Sequence, residues 1–220
     1  MNINYSKNNT KLPIMISFKS SKPQFIDRHL SINQLKQISR IDTELRKRLI
    51  DVLIEINGDN RFLINDFEVK NILNSFETLK EKPLITLLKA KDCNDDYRFN
   101  GKEISNILKL PAVLYSDSLN ILINAKNKDK EYRFNGSEIL FILKKVNSCN
   151  LRYLPLLTDL KLKNETNRFN YVEIACILES VNKHNYDYLP FLLESKDSNS
   201  NYKFNGIEIA QLMKSHMPEK

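Results

Sequence analysis

The chain runs to 220 residues, 28% charged and 41% hydrophobic, with four Gly, seven Pro and three Cys. That composition can bury one or two cores and is not that of a disordered polymer. No apolar run reaches the ~18 residues a membrane-spanning helix needs. The net charge of +7 is uneven: residues 1–48 hold ten Lys/Arg against three Asp/Glu, which leaves 24 of each sign in residues 49–220.

Residues 1–24 have no acidic side chain, are rich in Asn, Ser and Lys, and keep no period, so they are expected to form a basic disordered tail. The β-like stretch from Leu12 to Phe18 and the use of Lys rather than Arg do not fit a mitochondrial presequence. A helical-repeat domain is expected over 25–220, opening with a half-repeat, 25–41. There Ser31 to Gln34 has capping-box spacing and is followed by Leu35 and Ile38.

Five copies of a 35-residue unit follow, at about 42–77, 78–112, 113–147, 148–182 and 183–216. Each opens with an amphipathic helix A, marked by Leu49/Val52/Leu53, Leu84/Leu87/Leu88, Leu119/Leu122/Ile123, Leu154/Leu157 and Leu189/Leu192/Leu193. Pro155 and Pro190 stand near two of these starts, where the missing N–H costs least. A loop of about nine residues leads to helix B. Helix B is announced by Asn65, Asn100, Asn135, Asn170 and Asn205, with Glu68, Glu103, Glu138, Glu173 and Glu208 three residues on. Asn-x-x-Glu before an apolar run is a capping box: the Asn oxygen accepts from the N–H three residues on, and the Glu reaches back to the Asn N–H. Ile104/Ile107/Leu108 and their counterparts then fall on one helical face.

Phe99, Phe134, Phe169 and Phe204 are expected to plug the A–B junction, with Ile64 in that place in the first copy and Tyr97, Tyr132 and Tyr202 alongside. Helices of about 11 residues cannot bury an apolar face alone, but stacked neighbours can. The expected fold is therefore all-α: an α-solenoid of about five helix-loop-helix repeats after the half-repeat, resembling short α-solenoid helical-repeat proteins. The period also lies beside those of tetratricopeptide and pentatricopeptide proteins, but their small-residue positions hold Ile, Leu and Phe here. The pentatricopeptide likeness would imply RNA reading, and the neutral array argues against nucleic acid.

The loop has a second likeness. Asp92, Asn94, Asp96, Asn100 and Glu103 occupy positions 1, 3, 5, 9 and 12 of a segment that resembles an EF-hand calcium loop. Asp197, Asn199, Asn201, Asn205 and Glu208 repeat the pattern, as do Asn127, Asp129, Glu131, Asn135 and Glu138. The resemblance implies calcium held by these side chains. The pattern departs at position 6, where the Gly of a sharp turn is replaced by Tyr97, Tyr132, Tyr202, Asn167 and Phe62. Leu162 and Arg61 also stand at ligand positions in the remaining two copies. Caps account for Asn and Glu in all five copies; calcium is the alternative.

His29, His184 and His216 fall outside the repeat, and Cys93, Cys149 and Cys176 fit neither a disulfide framework nor a zinc spacing. There is no Gly-rich phosphate loop and no nucleophile elbow. The expectation is a non-catalytic scaffold that binds another protein and needs no cofactor, in the cytoplasm or another reducing compartment, with secretion through an unrecognised signal left open. The basic arm, centred on Arg46, Lys47 and Arg48, is a third route, to an anionic surface or nucleic acid.

Overall fold

The computed structural model describes residues 38–53, 65–75, 80–111 and 117–215. The expected tail, most of the half-repeat and the Arg61–Ile64 stretch of the first copy lie outside the described residues, as do His29 and His216. Among the described residues there is no strand, and ten α-helices follow the helical residues 38–40. They are α1 (Thr43–Leu53), α2 (Asp66–Asn74), α3 (Glu81–Lys89), α4 (Gly101–Leu108), α5 (Asp117–Asn124), α6 (Gly136–Leu143), α7 (Leu154–Asp159), α8 (Tyr171–Ser180), α9 (Leu189–Glu194) and α10 (Gly206–Ser215).

The even-numbered helices begin where the chain supplies a cap. At α2, α4, α6 and α8 the Asn oxygen accepts from the Glu N–H while the Glu carboxylate accepts from the Asn N–H. Asn205 and Glu208 exchange the same two bonds ahead of α10, at 2.8 and 2.9 Å. The odd-numbered helices vary more, from 11 residues in α1 to six in α7 and α9. The last two are entered through short 3₁₀ turns at Leu151–Tyr153 and Tyr186–Tyr188, and Pro155 and Pro190 lie in their first turn. They are shorter than the expected length because the residues before them are used in a buried asparagine turn, described below.

The even helices pack in succession, α2 on α4, α4 on α6, α6 on α8 and α8 on α10; α1 packs on α3 and α5 on α7. The last four units are closed by contacts of α3 with α4, α5 with α6, α7 with α8 and α9 with α10. The apolar residues that step by 35 meet along this arrangement: Ile104, Ile139 and Ile174, with Leu108, Leu143 and Leu178, are wholly buried. Phe99, Phe134 and Phe169 are buried with them, while Phe204 is half-buried.

Candidate functional site

Between helix A and helix B the chain makes a small hairpin, pinned by isolated antiparallel bridges Lys91–Tyr97, Lys126–Tyr132, Lys161–Asn167 and Lys196–Tyr202. The backbone turns left-handed at Asp95, Lys130, Glu165 and Ser200, with φ between 60 and 68°. Counted from Asp92, that is the fourth loop position and not the sixth, so Tyr97 and its counterparts sit in the bridge with no glycine required.

The first oxygen of each candidate calcium loop and the Asn and Glu of each cap have backbone partners. Asp92 Oδ1 accepts the N–H groups of Asn94 and Asp96 at 2.8 and 3.0 Å. Asn127 does the same for Asp129 and Glu131, and Asp197 for Asn199 and Asn201. Asn100 and Glu103, Asn135 and Glu138, and Asn205 and Glu208 face each other in the caps. Asn94, Asp96, Asn199 and Asn201 are exposed on the hairpins. Among the described residues, no three of His, Cys, Asp and Glu converge to hold an ion. The carboxyl of Asp197 lies below its ordinary pKa, chiefly because it accepts the Asn201 N–H.

Three arginines join one unit to the next. Arg98 donates to Ile123 O at 2.6 Å and Phe134 O at 2.8 Å; Arg168 donates to Leu193 O at 2.5 Å and Phe204 O at 3.0 Å. Arg133 bridges Thr158 O and Phe169 O in the same way. Each guanidinium therefore ties the end of the next helix A to the carbonyl just before the next N-cap. Its fork geometry suits two carbonyls at once. Arg98 also lies over the Tyr132 ring at 3.9 Å and Arg168 over Tyr202 at 3.7 Å, and Lys126 and Lys196 approach the same two rings. Burial pushes Arg133 down to about 10, and it remains a cation at neutral pH.

Arg46 and Arg48 of the basic cluster are also engaged. Arg46 donates to the carbonyls of Ile38, Ser39 and Ile41; Arg48 donates to Phe99 O and stacks on Tyr97 at 4.2 Å.

Two buried asparagines, not singled out from the sequence, work at the opposite end of the units. Asn150 donates to Lys145 O and Leu178 O, at 2.8 and 2.7 Å, and accepts from the Asn147 N–H. Asn185 donates to Ser180 O and Met213 O and accepts from the Asn182 N–H. Lys80 reaches Leu108 O at 2.6 Å from the corresponding position of an earlier unit. The sequence signal was present: Asn147/Asn150 and Asn182/Asn185 are one period apart.

The even-numbered helices expose Phe67, Phe141, Val172 and Ile207 singly, while grooves open along the odd-numbered helices. Leu156, Leu160, Pro190 and Leu193 line a groove of about 380 Å³ between α7 and α9, rimmed by Glu194, Lys196 and Tyr202. Leu88, Lys89, Lys91 and Tyr97, three repeat steps earlier, line a comparable groove of about 320 Å³ with Asp42, Glu44 and Leu45. Thr86, Ile121, Leu156 and Phe191 hold one place in successive units; Leu156 is 42% exposed and Phe191 72%. Cys93 is exposed and Cys149 and Cys176 half-buried, all as free thiols, and the His184 N–H donates to Asn182 Oδ1 within the asparagine turn. No helix among the described residues is long and apolar enough to cross a membrane. No protein-family model, curated protein or solved structure matches the chain.

Proposed function

We propose that the chain is an α-solenoid of helix-pair repeats that acts as a non-catalytic scaffold, holding another protein along its odd-numbered helices. The groove between α7 and α9 carries this reading: an apolar floor, Leu160 and Leu193, lies beneath a partly exposed Leu156 and beside a rim of both charges. Repeats that keep their framework and vary exposed positions are the usual basis of such binding. Here caps, arginines and asparagines hold the framework, while Thr86, Ile121, Leu156 and Phe191 vary at a shared place. The partner is a segment that lays apolar side chains into the groove and meets the Lys196 and Glu194 rim with polar ones.

The experiment is a selection from a displayed random peptide library against the full chain, with binding sites mapped by amide chemical shifts. Binders that perturb the α7–α9 groove and are lost on Leu156→Asp support the reading. Binders that perturb other surfaces, or that tolerate Leu156→Asp, overturn it.

A further inference from the structure

All four glycines of the chain follow an asparagine, at Asn57-Gly58, Asn100-Gly101, Asn135-Gly136 and Asn205-Gly206. The first pair lies outside the described residues. In the other three the asparagine caps an even-numbered helix and the glycine is that helix's first residue, buried each time. The fold imposes this pairing. The cap calls for Asn, and a Cβ at Gly136 or Gly206 would run into the preceding cap's glutamate, Glu103 or Glu173. Chemically, the same dipeptide is the one most prone to lose the asparagine amide. A glycine nitrogen has no neighbouring side chain to hinder its approach to the asparagine Cγ.

We propose that Asn100, Asn135 and Asn205 are sites of spontaneous deamidation that the helix caps hold closed, so that each is modified only when its cap opens. The reaction is a cyclisation followed by hydrolysis. The glycine nitrogen gives its proton to solvent and bonds to Cγ; the Cγ–Nδ2 bond breaks, and ammonia leaves with a proton from water. Water then opens the succinimide at either carbonyl, leaving aspartate or isoaspartate. Ring closure requires the glycine nitrogen to eclipse Cβ of the asparagine. The extended ψ of 170° at Asn100 and 176° at Asn135 holds it away from that position. Two bonds of 2.8 to 3.0 Å fix each cap, Asn oxygen to Glu N–H and Glu carboxylate to Asn N–H. At the third site the attacking nitrogen is itself engaged, since the Gly206 N–H donates to Glu173 Oε1 at 3.0 Å. Aspartate still caps a helix. Isoaspartate routes the backbone through the former side chain, so an opening that lasts long enough leaves a helix start that cannot be capped again.

The test is peptide mapping by mass spectrometry of the full chain after ageing at neutral pH, once folded and once in guanidinium chloride. Each of the three sites is expected to convert at least about tenfold more slowly in the folded chain, because the cap must open first. A variant separates the caps from the fold at large. Glu138→Ala removes one of the two bonds at Asn135. Conversion there is expected to rise about fivefold, the equivalent of one net hydrogen bond. Asn100 and Asn205 keep the folded-chain rate, and helical circular dichroism checks that the variant is folded. Equal conversion in the folded and denatured chains overturns the proposal. So does a folded Glu138→Ala variant in which Asn135 converts no faster, or in which all three sites accelerate alike.

Discussion

Glu173 Oε1 accepts the backbone N–H of Gly206 at 3.0 Å, from one even-numbered helix to the first residue of the next. The same carboxylate accepts the Asn170 N–H through its other oxygen at 2.9 Å. One side chain therefore caps its own helix and anchors its neighbour's start, and it fits only because residue 206 has no Cβ. Gly206 has no positive φ, so close approach is the reason for glycine here.

Gly206→Ala places a methyl against Glu173 Cβ, closer than real Cβ atoms come, and the two helices must move apart. We expect a loss of about 1–3 kcal/mol in urea unfolding. Gly136→Ala meets chiefly the carboxylate end of Glu103 and is expected to cost less, because that end can swing away. Equal costs at the two glycines would contradict this account.

Arg133→Met leaves the carbonyls of Thr158 and Phe169 without their shared donor. The expected cost in denaturant unfolding is about 1–3 kcal/mol, since Phe169 O loses the arginine and Thr158 O keeps only Asn167 Nδ2 at 3.4 Å. Arg133→Lys should recover less than half of it, because an ammonium does not span two carbonyls as a planar fork does. Full recovery by lysine would make simple charge the cause.

Asn150→Leu is close in volume and removes three hydrogen bonds at a fully buried site. We expect about 2–4 kcal/mol of destabilisation, with faster amide exchange at the ends of α6 and α8. A neutral result would show that the turn is held by packing alone.

Acid should weaken the fold through the hairpins. Asp197 accepts the N–H groups of Asn201 and Asn199, and Asn201's bond leads in holding its pKa low. Lys145 does the same to Glu179. A carboxyl depressed in the folded state stabilises it above the unfolded value, about 4, and loses that contribution as pH falls through the folded value. Melting temperature is therefore expected to drop below about pH 4. Asp197→Asn should flatten part of that drop, because Asn127 makes the same two bonds without a charge. An unchanged acid limb would remove the hairpin from the explanation.

Calcium is expected to leave the thermal melt where excess chelator leaves it. A ligand at about 100 times its dissociation constant adds roughly 2.7 kcal/mol, a shift that circular dichroism detects easily. A calcium-specific rise would mean that Asp92, Asn127 or Asp197 exchanges its backbone partners for the ion.

What could be read from the sequence was what acts locally. A cap joins a side chain to a backbone group three residues away, so Asn100 and Glu103 declare it by spacing alone. Apolar positions such as Ile104, Ile107 and Leu108 declare a face by period. Arg98, Arg133 and Arg168 recur just as regularly, inside the motif that revealed the repeat, yet their acceptors lie 25 and 36 residues further on. Nothing beside an arginine indicates a carbonyl that far along the chain. Asn150 and Asn185 were obscured for another reason: Lys80 serves the same carbonyl position with different chemistry, which breaks the pattern. The loop likeness misplaced the turn because it aligned acidic residues, whereas the backbone reverses at Asp95, two residues before Tyr97.

The forward reach of the arginines gives the array a polarity. Each unit carries donors for the unit after it and holds carbonyls satisfied by the unit before it. Removing units after Ser180 would release the Arg168 guanidinium, a flexible cation that water hydrates readily. Removing the units up to and including Arg98 would strand the carbonyls of Ile123 and Phe134, which are fixed in place and cannot turn toward solvent. The two ends are thus unequal in the damage they tolerate: the molecule can be shortened from its α10 side at less cost than from its α1 side.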